Sequence, residues 1–294
     1  MALASTLSSI AETASLVDTV FHSKDGTHRI EISPPPIWPS KPGHCNSTLL
    51  AHSNSTDRIV WTRHLINNYA PVRIFVSNSG TSVVTMDEWG GHEDSQAQFP
   101  LVIYGFRGAL VRVYNYSELS DWSRHAIVFF GPKDRVLFVR LDTGTLLIFD
   151  LGFGDVMNNE WFEIHKGWSM PGDDWVALHE FGSAQLKIEA LRSLESAEDY
   201  DRQTAAIVCG QEQYKDSIPA LETLLLDDAH FLQGGPPWRK VFHIRKVARD
   251  ALLQMGQTVG NVVMEEPYER WNKTENRTSA STTTNQPAPL RVTD

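Results

Sequence analysis

The chain predicts an α+β fold in which an antiparallel, blade-like β region is followed by HEAT-like α-helical hairpins. Two observations carry that expectation. Over residues 18–160, short runs of β-branched and aromatic residues alternate with turn signals. Over residues 183–264, apolar residues recur instead at three- and four-residue steps. A third observation limits the folded part. Residues 265–294 turn polar and include the run Ser279–Pro289, which is too poor in apolar side chains to offset the entropy of ordering. That tail is expected to be disordered.

In the β region, strands are expected at His28–Ile32, Arg58–Thr62, Val72–Ser77, Ser82–Met86, Leu101–Tyr104, Leu110–Tyr114, Ala126–Phe130, Val136–Arg140 and Thr145–Asp150. Asn78-Ser-Gly80, Gly105-Phe-Arg-Gly108 and Asp142-Thr-Gly144 read as hairpin turns between them. Successive hairpins without intervening helices favour an antiparallel sheet, in a propeller or a sandwich. Phe75–Thr85 followed by Leu101–Arg112 looks like one propeller blade, and Arg135–Leu151 like the later half of another. A closed ring usually needs at least about four blades, so a partial assembly is expected, its open edge covered by something else. Between strands, Ser33–Pro42 is proline-dense and expected to be extended.

The helical part is read from its punctuation. Ser217 or Asp216 can cap a helix that has Pro219 in its first turn and Ile218, Leu221, Leu224 and Leu225 on one face. A second helix carries Ile244, Val247, Ala248, Ala251, Leu252 and Met255 and ends at Gly256, where a left-handed cap is wanted. Ala248 and Ala251 are small, which would let a facing helix bearing Leu221 and Leu225 come close. This pair resembles HEAT and HEAT-like lyase repeats, whose second helix commonly reads Val-Arg-x-x-Ala-x-x-Ala-Leu. Ile244, Arg245, Ala248, Ala251 and Leu252 occupy those places. The connector Asp228–Lys240 is longer than the usual tight turn. A weaker hairpin is expected just before, with Ser183 capping a helix that carries Leu186, Leu191 and Leu194, then Tyr200–Cys209 closed by Gly210. Two hairpins are too few for a stable stack, so they are expected to lean on the β region. Taken together the chain is similar to uncharacterised bacterial proteins that join a blade-like region to HEAT-like repeats, a resemblance that implies no established activity.

Composition narrows the partners. At 294 residues the chain can hold one large or two ordinary domains, and 41% hydrophobic residues with nine tryptophans suffice for a sizeable core. A net charge of −10 argues against nucleic acid or an anionic membrane, both of which call for a basic face. No apolar run approaches the roughly 18 residues of a spanning helix, so no membrane insertion is expected. The N-terminal stretch Met1–Glu12 lacks a positive flank and is not a signal peptide of ordinary form. A cytoplasmic location is the default, with export the alternative if an export signal has been truncated. Cys45 and Cys209 fall in different regions, and neither belongs to a Cys-x-x-Cys pair.

No Gly-x-Ser-x-Gly elbow and no Walker loop is present, so no catalytic residue and no cofactor is assigned. Asp150-Leu-Gly-Phe-Gly-Asp155 lacks the third glycine of a phosphate-cradling loop, and His179-Glu180 has Ser183 where a zinc protease needs its second histidine. The loop Asp87-Glu-Trp-Gly-Gly-His-Glu-Asp94 gathers oxygen and imidazole groups, with Asp87, His92 and Glu93 as candidate metal ligands and a solvated acidic turn as the alternative. The function expected is non-catalytic: a protein-binding or scaffold module using the helical ridge and its connector. Trp238, Arg245 and Arg249 are the candidate contact residues, and another protein is the expected partner. The alternatives are a metal-dependent enzyme centred on residues 87–94 and, from the HEAT-like resemblance, a chromophore lyase.

Overall fold

A computed structural model describes residues 18–34, 44–53, 56–67, 70–86, 99–119, 126–157, 175–234 and 238–268. The chain forms two compact units, 1–189 and 190–294.

In the first unit the strands form three antiparallel sheets in sequence order. The first joins β1 (Thr19–His22), β2 (His28–Ser33), β3 (Asn46–Ser53) and β4 (Thr56–His64). The second joins β5 (Arg73–Val76), β6 (Val83–Met86), β7 (Leu101–Tyr104) and β8 (Leu110–Tyr114). The third joins β9 (Ala126–Phe130), β10 (Val136–Leu141) and β11 (Leu146–Asp150). Each four-stranded sheet is a simple meander, the topology of a propeller blade. The segments read from sequence as one blade, Phe75–Thr85 and Leu101–Arg112, do belong to a single sheet.

The middle sheet is buried on both faces, and the side chains of β5, β6 and β7 divide between them by the pleat. Ile74, Val76, Val83, Val102 and Tyr104 pack with Ile30, Ile32, Leu49 and Trp61 of the first sheet. Val84, Met86, Leu101, Ile103 and Tyr114 pack with Leu137, Val139, Leu141 and Phe149 of the third. Cross-strand pairs respect that division: Val83 opposes Tyr104, and Val84 opposes Ile103. Burial on both sides is why Val83–Met86 and Leu101–Tyr104 show no polar alternation.

Hydrogen bonds link the first turns of successive sheets at one end of the stack. The Asp25 N–H donates to Asn78 Oδ1 at 3.2 Å, and the Ser79 N–H donates to Asp134 Oδ2 at 2.8 Å. Gly80, with φ +66°, lies so close to the His28 ring that a Cβ there would fall 2.3 Å from it. The turn therefore needs glycine twice, for its left-handed backbone and for room.

Beyond the sheets runs α1 (Trp175–Ser193). The far face of the third sheet, bearing the fully buried Phe138, lies against it. Phe181 sits 5.9 Å from the Phe138 ring, and Phe138 stacks on Phe129 at 4.9 Å. Through Phe181 and Gly182 the helix lies over a face of that sheet. It also starts earlier than expected: Ser183 lies inside α1 and does not cap it. The residue before it, Gly182, also lies inside the helix. A Cβ at that position would fall 2.5 Å from the Phe138 ring, so the glycine marks a close approach and not a helix boundary. Gly182→Ala should therefore reverse the usual helix rule. Alanine normally stabilises a helix interior by about 1 kcal/mol over glycine, whereas here a loss of about 1–3 kcal/mol is expected in a denaturant melt. A stabilised variant would show that α1 does not lie on Phe138.

The second unit contains α2 (Asp199–Gln211), α3 (Ile218–Leu224) and α4 (His243–Gln254). Both α2 and α3 pack against α4. Pro219 stands in the first turn of α3 as expected, but Ser217 provides no side-chain cap and instead donates to the Tyr214 carbonyl. Gly256 has φ +77°, and the Gln257 N–H bonds back to the Leu252 carbonyl, closing α4 in a Schellman-type cap. Gly210 lies within α2 and does not close it. A Cβ on Gly210 would fall 2.8 Å from Ala251 Cα, so α2 comes close to α4 at Ala251. The connector Asp228–Lys240 contributes β12 (Phe231–Gln233) and begins β13 (Arg239–Val241), which also pairs with β14 (Glu265–Pro267). The tail expected from residue 265 thus begins with a paired strand, because β13 supplies the ladder partners that composition cannot reveal.

Candidate functional site

The start of α4 is where the second unit concentrates its charge. Arg202 on α2 donates through Nε to Asp227 Oδ2 at 2.8 Å and through a terminal nitrogen to Asp199 Oδ1 at 2.7 Å. It also reaches the carbonyls of Ser196 and Ala197, both at 2.8 Å. Its side chain is 14% exposed and that of Asp227 is 10% exposed, so the pair is nearly dry. Burial alone would lower the Arg202 pKa, but the hydrogen bonds and charge of Asp227 and Asp199 raise it above its ordinary value. Asp227 Oδ1 also accepts from the Ala229 N–H at 2.8 Å, turning the chain into the connector.

Arg245, one turn into α4, completes the arrangement. Its guanidinium lies 3.8 Å from the Phe242 ring centroid. It donates to the Asp227 carbonyl at 2.6 Å, to Asp228 Oδ1 at 2.9 Å and to the Val263 carbonyl at 3.1 Å. One planar, five-donor group thus ties the end of the α3 region to the segment after α4. With its side chain 11% exposed, Arg245 is an internal clamp. Arg249 is half-buried and pairs with the adjacent Asp250 at 2.8 Å. Trp238 directly precedes β13, is half-buried, and accepts a hydrogen bond from the Tyr268 N–H through its carbonyl.

The segments that Arg245 ties together carry exposed apolar side chains. Leu226 precedes the bonded Asp227 and is 78% exposed, while Val263, whose carbonyl Arg245 holds, is 53% exposed. Phe231, 47% exposed, lies 5.8 Å from the His243 ring at the first position of α4. Leu226, Phe231 and Val263 are thus exposed apolar residues of the segments that meet the start of α4. Sequence reasoning singled out none of the three, although Phe231 lies in the connector it took as part of the contact surface. Leu226 was hidden in the run Leu224-Leu-Leu226, although its position off the apolar stripe was a usable signal.

The expected metal ligands Asp87, His92 and Glu93 lie outside the described residues. Among the described residues, no group of three or more His, Cys, Asp or Glu side chains is placed to hold a metal ion. Burial pushes the Cys209 thiol up to about 11, with Ser217 pulling partly back, and the Tyr104 and Tyr114 hydroxyls up to about 12. All three stay protonated near neutrality, and a buried thiol in that form is not a nucleophile. The glycine-bearing stretch after β11 is a turn: Asp150 Oδ1 accepts from the Gly152 N–H at 2.5 Å and the Phe153 N–H at 3.1 Å. Gly154 carries the carbonyl that accepts from the Tyr114 hydroxyl.

The architecture is that of an α+β chain built from antiparallel sheet meanders and a helical unit. No protein-family model matches the sequence, and no curated protein is similar to it. Among solved structures, a segment of HIRA, residues 644–1017, aligns at 10% identity and a TM-score of 0.29, covering 89% of this chain and 96% of that one. A structure described as a 6-phosphogluconolactonase from Bacteroides fragilis aligns at 13% identity and a TM-score of 0.27, covering 49% of this chain and 37% of that one. At such scores neither likeness assigns a fold or an activity. No described helix is long and apolar enough to cross a membrane.

Proposed function

We propose that the chain is a non-catalytic protein-binding or scaffold module whose contact surface is formed by the segments that meet the start of α4. The observation that carries this reading is the exposure of Leu226, Phe231 and Val263 beside an ion-pair network that is satisfied internally. Exposed apolar side chains on a well-bonded support suit the desolvated centre of a protein contact, with polar groups at its margin. The half-exposed Arg249 and the half-buried Trp238 stand as candidate marginal contacts. The HEAT-like character of residues 183–264 belongs to the same proposal. Its support is the packing of α3 on α4 and the small residues Ala248 and Ala251 at buried positions of α4. The net charge of −10 favours a protein over nucleic acid as the partner.

The test is affinity capture with the full chain and with a variant carrying Leu226→Ser, Phe231→Ser and Val263→Ser. A partner retained by the parent should fall at least about tenfold in recovery with the variant, since a buried aromatic or aliphatic anchor commonly contributes more than 1 kcal/mol. The variant must keep the parent's thermal melt. Equal recovery from both proteins would overturn these residues as the contact surface.

A further inference from the structure

His243 stands where β13 gives way to α4. Its ring lies beside Phe231 of β12, and its Nδ1 is buried without a hydrogen-bond partner. A neutral imidazole tolerates that position, because its proton can reside on Nε2 and leave Nδ1 as a bare lone pair. The charged ring carries a donor on both nitrogens. Protonation would therefore place an N–H at a buried ring atom that has no bonded acceptor.

The surroundings favour the neutral ring as well. As the first residue of α4, His243 sits in the partial positive field of the helix start. Burial lowers its pKa; the charges of Asp199 and Asp227 and a weak hydrogen bond from the ring to the Val241 backbone pull the other way, and Arg202 adds to the lowering. The net direction is downward. Both carboxylates are hydrogen-bonded to Arg202, which draws their compensation away from the imidazole.

We propose that His243 is an acid-sensitive latch, in which a proton taken from solvent at Nδ1 releases the Phe231 edge of the β12–β13 hairpin from the start of α4. The direction follows from linkage. A histidine whose folded pKa is depressed contributes its full stability above its unfolded value of about 6.5, and loses it as pH falls below that value. Phe231 belongs to the proposed docking surface too, but the latch is read on the full chain without any partner, so the two ideas fail separately.

The experiment follows the His243 ring by NMR through a pH titration and measures amide exchange across residues 231–241. The parent, His243→Phe and His243→Gln are compared at about pH 7.5 and about pH 5, on either side of the ordinary imidazole value. In the parent the ring should titrate below that ordinary value, and hairpin protection factors should fall severalfold at the lower pH. In His243→Phe, which keeps an aromatic contact for Phe231, protection should not change with pH. If that variant fails to fold, His243→Gln supplies the non-titrating comparison, while the parent's ring titration stands by itself. A ring that titrates at or above the ordinary value, or an equal loss of protection in a non-titrating variant, would overturn the latch.

Discussion

Asp227→Ala is expected to lower stability by about 3 kcal/mol, because it leaves the nearly buried Arg202 guanidinium without its main counter-ion. It also removes the acceptor for the Ala229 N–H, so the turn into the connector loosens with it. Asp227→Asn should lose less, since an amide oxygen can still take the Ala229 hydrogen bond. Replacing both partners together, Arg202→Met with Asp227→Leu, should recover much of the loss, as apolar substitution of a buried ion pair commonly does. Denaturant melts of the four proteins give the comparison. If Asp227→Ala cost less than about 1 kcal/mol, the value typical of an exposed pair, the dry geometry around Arg202 would be wrong.

Ala251→Leu should cost about 2–3 kcal/mol by overpacking the α2–α4 contact. Gly210 and Ala251 leave no room there: even a single added methyl on Gly210 would come within 2.8 Å of the α4 backbone. Arg249→Ala on the same helix should stay within about 0.5 kcal/mol, because Arg249 is half-buried and its ion pair is with its own sequence neighbour Asp250. Both changes retain good helix formers, so their difference reports which face of α4 is packed. A more damaging Arg249→Ala in the same melt would reverse the face assignment.

Strand positions were legible wherever turn chemistry and β-branched composition coincided. Leu101–Tyr104, Leu110–Tyr114 and Ala126–Phe130 fall where the residues placed them. The strands β1 and β3 escaped notice for a physical reason. β3 reads Asn-Ser-Thr-Leu-Leu-Ala-His-Ser, and its polar ends conceal a segment whose Leu49 is fully buried against Ile30 and Trp61. The candidate site was legible only in part. Arg245 drew attention as a basic residue on a helix, yet its three long-range hydrogen bonds turn it inward. A contact residue and a clamp have the same letter in a sequence, and only their partners tell them apart.

Local chemistry determined where the chain turns, which stretches extend and which coil, and where α4 must end, since Gly256 and the periodic apolar face act over a few residues. Tertiary structure alone decided what the interior glycines mean and which surface is left over. Gly182 and Gly210 resemble helix boundaries in one dimension; in the fold each lies within a helix, where a ring of Phe138 or the backbone at Ala251 takes the space of a side chain. The neighbourhood of α4's first turn arises in the same way, from Asp227 and Val263, far apart in sequence, both held by Arg245, and from Phe231 beside His243. Such long-range contacts depend on what each segment finds opposite it, and no local propensity encodes that.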